Sequence, residues 1–165
     1  MSTMRAIILS AFLTPVLISG CASQHEVLAK QNQANALAYM KKNLTLPGIK
    51  QTATGLQYMV LKEGTGIQPN YLDVVYVYYR GYFPDTNKTF DETPKGQPAR
   101  FGLSQVIKGW QEGIALMKEG GVYRFYVPPH LAYGDAGMPP LVGPRQLLAF
   151  DVQLVKVEKY RNEFK

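Results

Sequence analysis

Leu72-Asp-Val-Val-Tyr-Val-Tyr-Tyr-Arg-Gly-Tyr-Phe83 decides the fold. The run is dense in β-branched and aromatic residues, which suit a pleated, half-buried surface, and it reads as a strand. Turn residues bracket it, Glu63-Gly-Thr-Gly66 before and Pro84 to Lys88 after. Working outward, Gly55-Leu-Gln-Tyr-Met-Val-Leu-Lys62 and Val122-Tyr-Arg-Phe-Tyr-Val127 also alternate as strands do. Thr89-Phe90-Asp91, Ala99 to Leu103 and Leu147 to Val157 complete the strand set. Between them stands one short helix, about Gly109 to Met117, with Ser104 as its candidate cap and Gly120-Gly121 as its stop. Asp135 to Gln146 is a long loop of turn residues. Many antiparallel strands around one helix predict an α+β fold, a curved β-sheet wrapped around a short central helix.

Upstream, residues 24–43 lack Gly and Pro, and the spacing predicts a further helix over about 25–42, ended by Pro47-Gly48. Val27, Leu28, Ala34, Leu37, Ala38 and Met40 are its expected apolar face.

The first residues have a different character. Arg5 precedes an apolar run from Ala6 to Ile18, then Ser19-Gly20-Cys21. The run is too short for a membrane span, which needs about 20 apolar residues, and it has the layout of a secretory signal peptide. Leu17-Ile18-Ser19-Gly20-Cys21 resembles the lipobox of bacterial lipoproteins. That resemblance implies cleavage after residue 20 and lipidation of Cys21, with several acyl chains anchoring the chain to a membrane. Ser23, and the lack of Asp after Cys21, resemble the pattern that directs lipoproteins to an outer membrane. The expected location is the bacterial envelope, facing the periplasm or the cell surface.

In all there are 165 residues, with 18 Lys and Arg against 12 Asp and Glu, a formal net charge of +6. The basic residues are spread singly, so they read as a solvated surface and not as a nucleic-acid stripe. Apolar residues make up 46% and charged residues 18%, which suits a packed core and excludes general disorder. The single Cys excludes a disulfide framework, and two His leave little for a metal cluster. No metal or cofactor is expected. Nucleophilic catalysis is also poorly supplied. Beyond the cleavage site the serines are Ser23 and Ser104, and neither sits in a Gly-x-Ser-x-Gly turn. Asp91 and Glu92 are adjacent on a strand and point to opposite faces, so they are not paired acids. What remains is aromatic and aliphatic side chains that could converge on a pocket.

Val77-Tyr-Tyr-Arg-Gly81, Thr89-Phe-Asp91, Gln105-Val-Ile-Lys-Gly-Trp110, Glu112-Gly113, Pro128-Pro129, Leu131-Ala-Tyr-Gly134 and Phe150-Asp-Val152 occur in this order. Together they resemble the FKBP-type peptidyl-prolyl cis-trans isomerases. Pro47-Gly-Ile and Thr54-Gly-Leu-Gln-Tyr58 are similar to the bacterial Mip-like branch. Taken with the N-terminal layout and the lipobox, it divides the chain into an expected signal peptide over 1–20, a lipidated tether and helix over 21–46, and an isomerase domain over 47–160. It implies a helix shorter than the dimerisation region of Mip-like proteins, acting as a spacer from the membrane.

It also implies roles. Tyr79 forms a wall, Phe90 packs beside a proline ring, Asp91 offers a polar edge, and Tyr133 bonds a substrate carbonyl. Val106 and Ile107 approach the substrate, with the Ile107 N–H as donor. Trp110 is the floor, Leu141 and Val142 line an overhanging loop, and Phe150 closes the base. Lys95 and Arg100 are the candidate charge partners of Asp91. The implied partners are Xaa-Pro segments of exported proteins, with macrolide ligands of the family as further occupants. A proline-binding chaperone or assembly adaptor with little turnover is the alternative reading.

Overall fold

A computed structural model describes residues 20–161, with side chains described from residue 24 onward. The expected signal peptide lies outside the described residues up to residue 19, and the Cys21 side chain is likewise outside. In chain order the elements are α1 (Gly20–Asn43), β1 (Ile49–Gln51), β2 (Gln57–Lys62), β3 (Val74–Tyr82), β4 (Thr89–Glu92), β5 (Ala99–Gly102), α2 (Lys108–Ala115), β6 (Val122–Val127) and β7 (Leu148–Glu158).

The strands form one antiparallel sheet in the order β1-β2-β6-β7-β3-β4, with β5 also paired to β3. β7 is the inner strand that joins the two halves. It pairs with β6 along one edge and with all of β3 along the other. Alternation sorts the faces. On β3, Val75 and Val77 are fully buried, and Tyr79 follows them on the same face. Their cross-strand partners include Leu154 and Val152 of β7 and Phe101 of β5. This face packs on α2.

α2 buries Trp110 and Ile114, and Met117 is buried just beyond its end. Full burial of such side chains contributes roughly 1.5–3 kcal/mol each. The helix lies unusually close to β6 because two of its residues lack side chains. A Cβ on Gly109 would overlap a methyl of Val127, and one on Gly113 would stand 2.6 Å from the Phe125 ring. The helix begins at Ile107, which supplies no side-chain cap. Ser104, expected as the cap, instead belongs to a separate 3-10 turn, Leu103–Gln105.

α1 does not stand off as a spacer. It folds back on the domain. Tyr39 meets Tyr126 at 5.9 Å between ring centroids, beside Tyr82 and Ala149 on the sheet face opposite α2. The Asn43 amide donates to Gln57 Oε1 at 2.9 Å, and the buried Gln57 amide donates in turn to Met40 O and Gln51 Oε1. Nearer the N-terminus, Asn32 Nδ2 donates to Pro144 O at 2.8 Å. The buried residues of α1 are therefore Ala29, Asn32, Ala36 and Asn43, whereas Val27, Leu28 and Leu37 of the expected apolar face are exposed. Small residues and side-chain amides make this contact together with Tyr39 and Met40, so of the expected apolar face only Met40 takes part. Among the described residues no helix is long and apolar enough to cross a membrane.

Candidate active site

A cavity of about 270 Å³ opens where β3, β4, β5, α2 and the loop after β6 converge. Its size is at the lower end of small-ligand sites. Trp110 is its base, 4% exposed. Three rings stand nearly perpendicular to the indole: Tyr79 at 5.0 Å and 84°, Phe150 at 5.3 Å and 83°, and Phe101 at 5.6 Å and 87°. Phe90 then stands edge-on to Phe150 at 5.7 Å. Edge-to-face pairs contribute about 0.5–1.5 kcal/mol each beyond their burial, so the box is rigid before anything enters it. The indole N–H of Trp110 is buried with no hydrogen-bond partner among the described residues.

Polar groups sit on this apolar frame. Tyr79 OH donates to Asp91 Oδ2 at 2.6 Å, a short bond to an exposed carboxylate. Burial pushes the Tyr79 phenol up, and the adjacent Asp91 carboxylate raises it further, so it remains an O–H donor at neutral pH. Burial likewise pushes Tyr133 up, with Asp91 adding to the effect. The Tyr79 backbone is held on both sides by Thr93, whose N–H donates to Tyr79 O at 3.0 Å and whose Oγ1 accepts from Tyr79 N–H at 3.1 Å. Ile107 N–H donates to no group among the described residues.

Eight of the residues expected at the site line this cavity: Tyr79, Phe90, Asp91, Val106, Ile107, Trp110, Tyr133 and Phe150. Leu141 and Val142 do not. Leu141 is exposed, and Val142 is buried in the core, bridged to Met138. Neither expected charge partner pairs with Asp91. Arg100 instead bonds Tyr76 OH at 3.1 Å and approaches Glu158 at 3.8 Å. Lys95 lies in a different cleft, on the outer face of the sheet beside Tyr78.

Phe101 and Gln105 also line the cavity and were missed. Phe101 was legible in principle. It faces Val75 across the β5–β3 ladder, so alternation from Tyr79 through Val75 puts it on the site face. Gln105 gave no such signal. Clefts of about 380, 420 and 650 Å³ lie elsewhere, but none of them gathers rings around convergent hydroxyls. Among the described residues no three His, Cys, Asp or Glu side chains converge.

Fold and cavity together define a curved sheet and a short helix that enclose an aromatic box, with hydroxyl and carboxylate groups beside it. The family model for FKBP-type peptidyl-prolyl cis-trans isomerase matches residues 66–155, and the model for the domain amino-terminal to it matches residues 10–60. The chain belongs to the FKBP-type peptidyl-prolyl cis-trans isomerase family. It is 44% identical over 134 residues to a probable FKBP-type peptidyl-prolyl cis-trans isomerase, FkpA, of Neisseria meningitidis, covering 81% of this chain and 49% of that protein. It is 40% identical over 132 residues to the outer membrane protein MIP of Legionella longbeachae, covering 79% and 56%. The crystal structure of FkpA from Escherichia coli superposes with a TM-score of 0.79 at 39% identity, covering 83% of this chain and 64% of that one. The chain spans about half the length of the curated relatives it matches.

Proposed function

We propose that this chain is a prolyl isomerase of the bacterial envelope, anchored through lipid on Cys21, that assists the folding of exported proteins. The observation that carries the catalytic reading is the aromatic box on Trp110, bordered by the hydroxyls of Tyr79 and Tyr133. Residues 47–160 are its isomerase domain, 21–46 its tether and docked helix, and 1–20 its signal peptide.

The chemistry needs no nucleophile. Rotation about an Xaa-Pro bond faces a barrier of about 18–20 kcal/mol from amide resonance and takes on the order of 10–100 s unaided. In the twisted transition state conjugation is lost and the carbonyl is less dipolar. Leaving water therefore costs the twisted form less than the planar one, and an apolar cavity that holds the proline ring favours the twisted form. Trp110, Phe90, Phe101 and Phe150 hold the ring. Tyr133 OH and Ile107 N–H donate to substrate carbonyls. Tyr79, bonded to Asp91, fixes the carboxylate at the rim, where it orients the substrate backbone.

The anchoring proposal rests on the Leu17–Cys21 stretch. The name of the Legionella relative, an outer membrane protein, favours the same location. Isomerisation of an Xaa-Pro peptide by the full chain tests the catalytic reading, alongside Tyr133→Phe and Asp91→Val. Acceleration that falls in both variants supports it. A folded chain that binds the peptide without accelerating its isomerisation is a binding module instead. Cys21→Ser tests the anchor: the variant is expected in the soluble fraction with activity intact, and membrane retention would refute lipidation at Cys21.

A further inference from the structure

α1 lies outside the stretch matched by the isomerase family model, yet one of its side chains reaches the loop that carries Tyr133. Loop 134–145 leaves the cavity at Tyr133 and returns toward β7. Its neck is closed by Arg145 N–H donating to Gly134 O at 2.8 Å. Tyr133 is pinned from within the loop, because Gly137 N–H donates to Tyr133 O at 3.1 Å, and from behind it, because Gly134 N–H donates to Pro129 O at 2.9 Å.

The residue that closes the neck is in a strained conformation. Arg145 has φ +49, the left-handed region that non-glycine residues rarely occupy. Such strain persists only where the surroundings over-determine it. Here Arg145 Nε bonds Asp135 Oδ1 at 2.7 Å, across the same neck. The residue before it, Pro144, is buried and has its carbonyl held by Asn32 at 2.8 Å. Asn32 is itself buried and lies against Gly143, its Nδ2 3.2 Å from where a Cβ there would stand. The chain of contacts thus runs from α1 through Pro144, Arg145 and Gly134 to Tyr133.

We propose that Asn32 is a positioning residue for Tyr133: by fixing Pro144 it sets the neck of loop 134–145 and so places the Tyr133 hydroxyl over the cavity. The inference rests on the isomerase reading above. It assigns α1 a part in turnover beyond that of a tether.

The test is a double-mutant cycle in the full chain, read as kcat/KM on an Xaa-Pro peptide, with Trp110 fluorescence and a thermal melt for each variant. Asn32→Ala is expected to lower kcat/KM about three- to tenfold, the effect of one misplaced hydrogen bond. In the Tyr133→Phe background the same change should cost less than about 1.5-fold, because no hydroxyl remains to misplace. Asn32→Leu, close in size but without the donor or a charge, should behave alike and carries the cycle if the alanine variant unfolds. Asn43→Ala is the control. It removes the other amide anchor of α1, at β2, so it should lower the melting temperature with equal kinetic effects in both backgrounds. An Asn32 loss of the same size with and without the Tyr133 hydroxyl would overturn the proposal, as would a folded Asn32 variant with unchanged kcat/KM. Failure of the wild-type chain to accelerate any Xaa-Pro peptide would instead overturn the isomerase reading itself.

Discussion

Gly113→Ala sets two effects of known size against each other. Helix propensity alone says the change stabilises α2, by about 0.8–1 kcal/mol for Gly to Ala in a helix interior. Packing says the opposite. The new methyl would lie 2.6, 2.9 and 3.0 Å from three atoms of the Phe125 ring, against a carbon–carbon optimum of about 3.5–4.0 Å. Phe125 is fully buried and cannot swing out. The helix cannot simply lift, because Trp110 and Ile114 tie it to the core. Overpacking of this kind costs about 1–3 kcal/mol. The net expectation is a loss of up to about 2 kcal/mol, or at most roughly 4–8 °C in melting temperature. A thermal melt followed by circular dichroism reads it directly. Any outward shift of α2 also raises Trp110, one turn earlier, into the cavity, so KM for an Xaa-Pro peptide should rise. A melting temperature above wild type would mean that helix and sheet are not in the close contact described, and would refute the reasoning.

Trp110→Leu should weaken binding of a proline peptide at least tenfold, since the floor beneath three perpendicular rings is lost; unchanged affinity by calorimetry would put the site elsewhere. Tyr79→Phe removes the donor to Asp91 and should lower kcat/KM about fivefold with little change in melting temperature; an unaltered rate would show that the pair plays no part in turnover. Asp73 should contribute to weakening of the fold in acid. Burial opposes its ionisation, but Lys159 Nζ at 2.8 Å and the N–H groups of Asn70 and Tyr160 outweigh burial and hold the carboxyl below its usual range. A depressed native pKa stabilises the fold above the unfolded value of about 3.9, and that stability is lost as pH falls below it. Urea melts from pH 5 down to about 2.5 should therefore show steeper acid weakening in wild type than in Asp73→Asn; parallel curves would refute the assignment.

Most of the strands were legible because alternation and turn chemistry agree in them. Val122–Val127 was read with both of its ends, and Leu72–Phe83 contains β3 with one or two residues to spare on each side. β1 was missed, since Ile49-Lys-Gln51 is too short to show a period and exists only as an edge paired to β2. The cavity lining was legible where the family motifs fall, as at Tyr79, Trp110 and Tyr133, with alternation adding to the motif only at Tyr79 on β3. It was not legible at Leu141 and Val142, because the path of a long loop depends on closures such as Gly134 to Arg145 that span too many residues to read locally. The docking of α1 was hidden for a different reason. Its buried contacts are Ala29, Asn32, Ala36 and Asn43, with Tyr39 and Met40 half-buried beside them, and this mixture of small, amide and larger side chains leaves no clean hydrophobic period.

The position of β7 has a consequence in time. It is the last of the described strands to be synthesised, yet it pairs with both β3 and β6. When β3 leaves the ribosome its longest partner lies some seventy residues away, about 4–14 s of elongation at about 5–20 residues per second. Until Leu148–Glu158 arrives, the two halves of the sheet have no common strand to join them. The sheet is therefore completed only once Glu158 has been made, well after the strands that β7 joins. A truncation at residue 147 should leave both halves of the sheet open, with no partly working enzyme.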